Sequence, residues 1–173
     1  MSSIITGRGW KFGDNINTDL MLPNIVNGGA STLDEQGSAV FSANRPGWVD
    51  EMRPGDFIVG GKSYGIGSNR PAARSLRHIG VACLLAETIN GLFFRNCVNF
   101  GLLALECPGV TDAFEEGHTA EVSLADFTVR NRNTGATLKA MAVPDNLLNL
   151  MRNGGIFPML EKQGLIAPAV PLG

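Results

Sequence analysis

Three short apolar runs punctuate the middle of the chain: "FIVGG" from Phe57, "VACLLA" from Val81 and "LLALEC" from Leu102, which is charged only at Glu106. Each is too short for a helix and lacks polar alternation, which predicts strands buried on both faces. The segments between them repeat with helical spacing. "PAARSLRHI" opens with Pro71, a residue tolerated in a first helical turn, and runs to about Ile79, with Gly80 positioned to end it. "TINGLFFRNCVNFG" reads as a second helix backed by Gly101. Strand, helix, strand, helix, strand in succession predicts a parallel α/β core.

The flanks carry different patterns. "GRGWKFG" reads as an edge strand, followed by a loop over 14–31, and "STLDEQGSAVFSA" reads as a short helix. Beyond Pro108, "TAEVSLADFTVRNRNTGATLKAMAV" alternates apolar and polar residues with a turn at "NRNTG", the signature of a β-hairpin. "PDNLLNLMRNGG" reads as a capped C-terminal helix ending at Gly154. No repeat or low-complexity linker interrupts the 173 residues, so residues 1–173 read as a single domain.

Composition narrows the function classes. The chain is 44% hydrophobic and 17% charged with net charge −2, a globular balance without the basic block that nucleic acid requires. The longest apolar stretch, 81–94, contains Glu87 and Asn90 and is too short to span a bilayer. "MSSIITGRGW" has no signal-peptide core, so a soluble cytoplasmic protein is expected, with neither nucleic acid nor membrane as partner. Cys83, Cys97 and Cys107 are widely spaced in apolar surroundings and read as buried thiols. With only His78 and His118 beside them, they are too few to build a metal site in this chain.

The candidate chemistry lies in "FIVGGKSYGIGSNRPAARSLRHIG", from Phe57 to Gly80. A Walker A loop fails, because Lys62 falls one residue late and the intervening residues read as strand. A dinucleotide fingerprint begins well with Gly65 and Gly67, and Glu87 stands 20 residues beyond Gly67. Its third small position is Arg70, however, too bulky for close helix packing. A nucleophile elbow fails because Ser68 lies between Gly67 and Asn69, and neither His78 nor His118 is placed to be its base. What remains is a serine before a helix, beside a permanently charged arginine. Glycines let the backbone approach a ligand, free N–H groups favour an anion, and Arg70 can clamp a carboxylate. The same surroundings would stabilise Ser68 as an alkoxide. The plainer alternative is that Ser68 and Asn69 cap the helix and Arg70 is solvated.

In several blocks the sequence resembles the aconitase swivel-domain family, and most closely its 3-isopropylmalate dehydratase small subunits. "GDNINTDLMLP" resembles the family opening D-N-I-D-T-D-x-I-x-P, and "RPGDFIVGGKSYGIGSNR" resembles P-G-D-I-I-V-A-G-x-N-F-G-x-G-S-S-R. "RHIGVACLLAETINGLFFRNCVNFGLLAL" and "NLLNLMRNGGIFPMLEKQG" match the blocks that follow, in order and at ordinary spacing. The resemblance implies an α/β fold: an aconitase-like swivelling β/β/α domain with a parallel strand core and a β-hairpin/C-terminal helix addition. It implies hydro-lyase chemistry, isomerisation of a hydroxy-acid by dehydration and rehydration. By motif position Ser68 is the base and Arg70 the carboxylate clamp, with Gly67 and Asn69 in the binding turn. No cofactor belongs to this chain. A [4Fe–4S] cluster is expected on a partner large subunit, where iron acts as a Lewis acid, and the active site lies between the two chains.

The sequence also departs from the family. Asn69 replaces a serine, Pro71 and Ala72 replace Glu-His, and Ile66 stands where Cys or Glu is usual. Family members acting on tricarboxylates carry an arginine in the loop that here reads "NIVNGGAST", and no arginine occurs between Arg8 and Arg45. Ile25 and Val26 would offer apolar surface instead, favouring a 2-alkylmalate such as isopropylmalate over citrate or homocitrate. Core packing is the alternative role for these two. Asp14 and Asp19 read as turn and cap residues. Arg95 and Asn96 read as structural or interface residues. The competing functions are a sister dehydratase acting on dimethylmalate, methylcitrate or homoaconitate, and a non-catalytic binding module on the same fold.

Overall fold

The computed structural model describes residues 3–23, 32–67 and 70–168. Among them the order is β1 (Ile4–Lys11), α1 (Thr18–Met21), α2 (Leu33–Ser38), α3 (Trp48–Glu51), β2 (Phe57–Gly60), α4 (Ala72–His78), β3 (Cys83–Ala86), α5 (Gly91–Phe100), β4 (Ala104–Glu106) and α6 (Val110–Ala113). Then follow β5 (Thr119–Ser123), β6 (Thr128–Asn131), β7 (Thr137–Lys139), α7 (Asp145–Arg152) and α8 (Ile156–Lys162). The strands form one seven-stranded sheet in the order β4-β3-β2-β1-β5-β6-β7. β1 to β4 are mutually parallel, and β5 to β7 continue antiparallel from β1. This is the expected mixed α/β arrangement with its parallel core.

The apolar runs are explained by burial on both faces. Along β2, Ile58 enters one core with Trp10, Tyr64, Leu76, Leu84 and Phe93. Its neighbours Phe57 and Val59 enter the other with Cys83, Leu85, Leu105, Val122 and Val129. Gly80 and Gly101 both take positive φ, +98° and +73°, where the sequence placed helix ends. α4 begins at Ala72 with Pro71 as its N-cap, and Asn90 caps α5 by accepting from the Leu92 N–H.

Two expectations are corrected. β1 is not an edge strand, because it pairs with β2 on one side and β5 on the other. The hairpin at "NRNTG" is present between β6 and β7, but it is the second half of a three-stranded meander beginning at β5. The sheet curls: the Met141 N–H, just past β7, donates to Glu106 O at the end of β4 (2.8 Å). No described helix is long and apolar enough to cross a membrane.

Candidate functional site

The site is organised by the carboxyl ends of β1, β2 and β3, where a parallel sheet leaves its connecting loops on one edge. The chain leaving β2 is laced to both neighbours. On the β1 side, Gly61 N–H donates to Gly13 O, Asn15 N–H to Lys62 O, Gly65 N–H to Ile16 O and Thr18 N–H to Ile66 O, at 2.8–3.1 Å. The Lys62 N–H donates to the Asp14 carboxylate (2.7 Å). On the β3 side, Ser63 N–H donates to Thr88 Oγ1, Tyr64 N–H to Thr88 O, and Asn90 N–H to Tyr64 O. The glycine-rich segment up to Gly67 is thus held by ordered backbone bonds.

Gly65 and Gly67 are required by geometry. Both lie in the left-handed region, φ +83° and +102°. A Cβ on Gly65 would fall 2.3 Å from the Phe93 ring, and one on Gly67 would fall 2.2 Å from Asn17 Oδ1. Gly67 itself is exposed, so the backbone reaches solvent at the point where the sequence predicts a ligand.

The Arg70 guanidinium is ion-paired through Nε to the Asp19 carboxylate of α1. The arginine side chain is 15% exposed and its partner 49%. Arg70 is therefore not simply solvated. The Asp19 backbone N–H donates to Asn17 Oδ1 (2.8 Å), so the N-cap residue of α1 is Asn17, with Asp19 in its first turn. The sequence reading missed Asn17 and the partnership of Asp19. Asn17 lies directly before "TD", a capping context visible in sequence. The Asp19–Arg70 pair joins residues 51 positions apart and leaves no local signal.

Ser68, Asn69, Ile25 and Val26 lie outside the described residues. Gly67 and Arg70 flank the first two in the sequence, and the N-cap position of α4 is taken by Pro71.

The residues of the rejected chemistries are engaged elsewhere. Glu87, the ribose-binding candidate of a dinucleotide fold, accepts from Gly109 N–H, Thr111 N–H and Thr111 Oγ1 at 2.7–2.9 Å. Burial pushes this carboxyl up, but the bonds from Thr111 and Gly109 outweigh it and hold it below its ordinary value. His78 pairs with Asp34 at the far end of α4, and His118 Nδ1 contacts Glu115 N–H and Asn131 Nδ2. Cys97 belongs to one core, while Cys83 and Cys107 belong to the other, on the opposite face of the sheet. Three thiols so divided do not converge on one metal or cluster, and burial pushes all three up, Cys107 to about 12. Among the described residues no group of three or more His, Cys, Asp or Glu side chains could hold a metal ion.

The family model described as aconitase C-terminal domain matches residues 19–109. The isopropylmalate/citramalate isomerase small subunit of Methanocaldococcus jannaschii is 37% identical over 166 residues, covering 94% of this chain and 97% of that protein. The 3-isopropylmalate dehydratase small subunit 1 of Methanopyrus kandleri is 38% identical over 167 residues, covering 95% and 96%. The methanogen homoaconitase small subunit of Methanothermobacter thermautotrophicus is 35% identical over 157 residues, covering 90% of each. A crystal structure of 3-isopropylmalate dehydratase from Methanocaldococcus jannaschii superposes with a TM-score of 0.86 at 26% identity, covering 94% of this chain and 96% of that one.

Proposed function

The chain belongs to the 3-isopropylmalate dehydratase small-subunit family of aconitase C-terminal domains, and from that premise we propose that it is the single swivel domain, residues 1–173, of a heteromeric hydro-lyase isomerising a 2-alkylmalate. Its partner is a large subunit, and the active site lies between the two chains. The [4Fe–4S] cluster expected on that partner would supply Lewis acidity to the departing hydroxyl.

The roles of this chain's own residues follow from charge. Arg70 binds a substrate carboxylate through a guanidinium that stays cationic at any working pH. Gly67 and Asn69 bring backbone and amide donors to the same anion. Ser68, as an alkoxide, takes the proton from the carbon adjacent to the carboxylate. The released C–H electron pair forms the C=C bond as hydroxide leaves the neighbouring carbon. In the second half, Ser68 returns its proton to one alkene carbon and hydroxide adds to the other, with the two positions exchanged, which regenerates the Ser68 alkoxide. Ile25 and Val26 provide the apolar wall for the alkyl group, each methylene being worth about 1–3 kcal/mol of discrimination.

The observation that carries this reading is the Asp19–Arg70 pair beside the exposed backbone of Gly67. It directs a cation to the carboxyl edge of the parallel strands and holds it there. The test is turnover by the complex reconstituted with its large chain. Ser68→Ala is expected to cost about 10²–10⁴-fold in kcat with the complex intact. Undiminished turnover would reject Ser68 as the base. A panel of hydroxy-acids tests the substrate: isopropylmalate is expected to turn over and homocitrate not. The 35% identical homoaconitase small subunit makes homocitrate the informative competitor.

A further inference from the structure

The exposed large apolar side chains of the described residues fall into three places: Ile4, the pair Leu92 and Met141, and the group Phe157, Leu165 and Ile166. The second place adjoins the candidate site. α5 starts at Asn90, whose N–H donates to Tyr64 O (2.8 Å), and its Phe93 lies against Gly65. One flank of this helix therefore supports the glycine turn. The opposite flank, Gly91 and Phe94, lines an open cavity of about 270 Å³ whose other wall includes Met141 and Val143. Between the flanks the outward stripe carries Leu92, 43% exposed, and Arg95, while Met141 stands 57% exposed across the cavity. The Arg95 side chain makes no hydrogen bond or ion pair among the described residues, which is also true of Arg74, Arg77 and Arg130 but not of Arg45, Arg53, Arg70 and Arg132.

We propose that this face, Leu92, Arg95 and the cavity rim at Met141, is the surface on which the large chain docks. The proposal rests on the reading above that a second chain completes the active site. A chain approaching Gly67 and Arg70 closely enough to share a substrate must also cover what flanks them. The flank toward α5 offers what a protein interface core uses: two exposed apolar side chains, a recess to fill and an uncommitted guanidinium. The complementary surface is an apolar side chain that enters the recess and a carboxylate that meets Arg95. The group at Phe157 does not flank the turn and serves as the control.

The experiment is titration of the large chain with small-chain variants, read as Kd by calorimetry, with the thermal midpoint of each isolated variant as a folding check. The double variant Leu92→Lys/Met141→Lys is expected to weaken association by about tenfold or more, and Arg95→Glu to weaken it too. Phe157→Lys is expected to leave Kd unchanged. Should the double variant fail to fold, Arg95→Glu, a change at an exposed position, decides alone. An unchanged Kd in the charge-bearing variants overturns the proposal, as does an equal loss in Phe157→Lys. A change confined to self-association of the isolated chain assigns the face to a second copy and overturns it as well. Ser68→Ala separates the two claims: it is expected to bind the large chain normally while losing turnover, so a failure of the docking face leaves the catalytic reading standing, and the reverse.

Discussion

Arg70 reaches back from the start of α4 to pair with Asp19 in α1, joining two loops that meet only because β1 and β2 lie side by side. The pair with the carboxylate helps to fix the plane of an arginine whose side chain is mostly buried. Asp19→Asn keeps the shape and removes the charge. It is expected to lower kcat/KM for the reconstituted enzyme by about 10–100-fold, since a displacement near 1 Å of a positioning group has that effect. The thermal midpoint should fall only modestly, because the Asp19 end of the pair is half-exposed and water can take its place at the arginine. Steady-state kinetics and a melting curve on one sample check both halves. A loss confined to stability would make the pair structural.

The two glycines of the turn separate strain from contact. Gly67→Ala places a methyl group against Asn17 in a backbone region costing about 1–3 kcal/mol for a non-glycine residue. The turn is exposed there, so the expected outcome is loss of activity with a modest loss of stability. Gly65→Ala meets the buried Phe93 ring and should lower stability more than Gly67→Ala does. Urea titration ranks the two, and the reverse order would contradict this packing.

Much of this was legible along the chain because the signals were local. Apolar runs marked β2, β3 and β4, and Gly80 and Gly101 marked the ends of α4 and α5. What escaped was non-local. "GRGWKFG" is polar enough to suggest an edge, and nothing nearby announces that Ile4–Arg8 pairs with Thr119–Ser123 on its second side. α3 and α6 are four-residue turns, too short for helical periodicity, although each follows a left-handed glycine, Gly47 or Gly109. At the site, the glycines and Arg70 stood out as residue types. Asp19 did not, because its role is defined by a partner that the fold brings to it.

Glu87 makes stability depend on acid. Its carboxyl is lowered in the folded chain, where bonds from Thr111 and Gly109 outweigh burial, so its contribution is full above the ordinary carboxylate range. That contribution is lost as pH falls through the lower folded value. Glu116 has the same sign, held down first by its hydrogen bonds with Arg45, with burial opposing. The thermal midpoint is therefore expected to fall on acidification below about pH 4.5. Glu87→Gln should cost about 1.5–3 kcal/mol at pH 7, the range for hydrogen bonds to a charged group. Its midpoint should then fall less steeply with acid than that of the wild type. Parallel curves for the two would remove Glu87 from the account.

Phe93 links the core to the site most directly. It is 1% exposed, rests against Gly65 and faces the Tyr64 ring with centroids 6.0 Å apart. Phe93→Ala removes a buried ring, and about 3–5 kcal/mol is expected to go with it. That is a large share of the 5–15 kcal/mol that holds an ordinary domain together. For a chain of this length it corresponds to a fall of roughly 6–20 °C in Tm at about 2–4 °C per kcal/mol. Phe157, stacked on Phe100 but 50% exposed, supplies the comparison, since Phe157→Ala removes the same ring from a half-solvated place. Its expected cost is well under half as large. If the turn is held by its backbone bonds to Ile16 and Thr88, Phe93→Ala should keep measurable activity below its lowered Tm. If the ring itself shapes the turn, activity is lost at temperatures where the variant is fully folded. Calorimetry and turnover measured across the same temperatures distinguish the two, and the backbone lacing predicts the first.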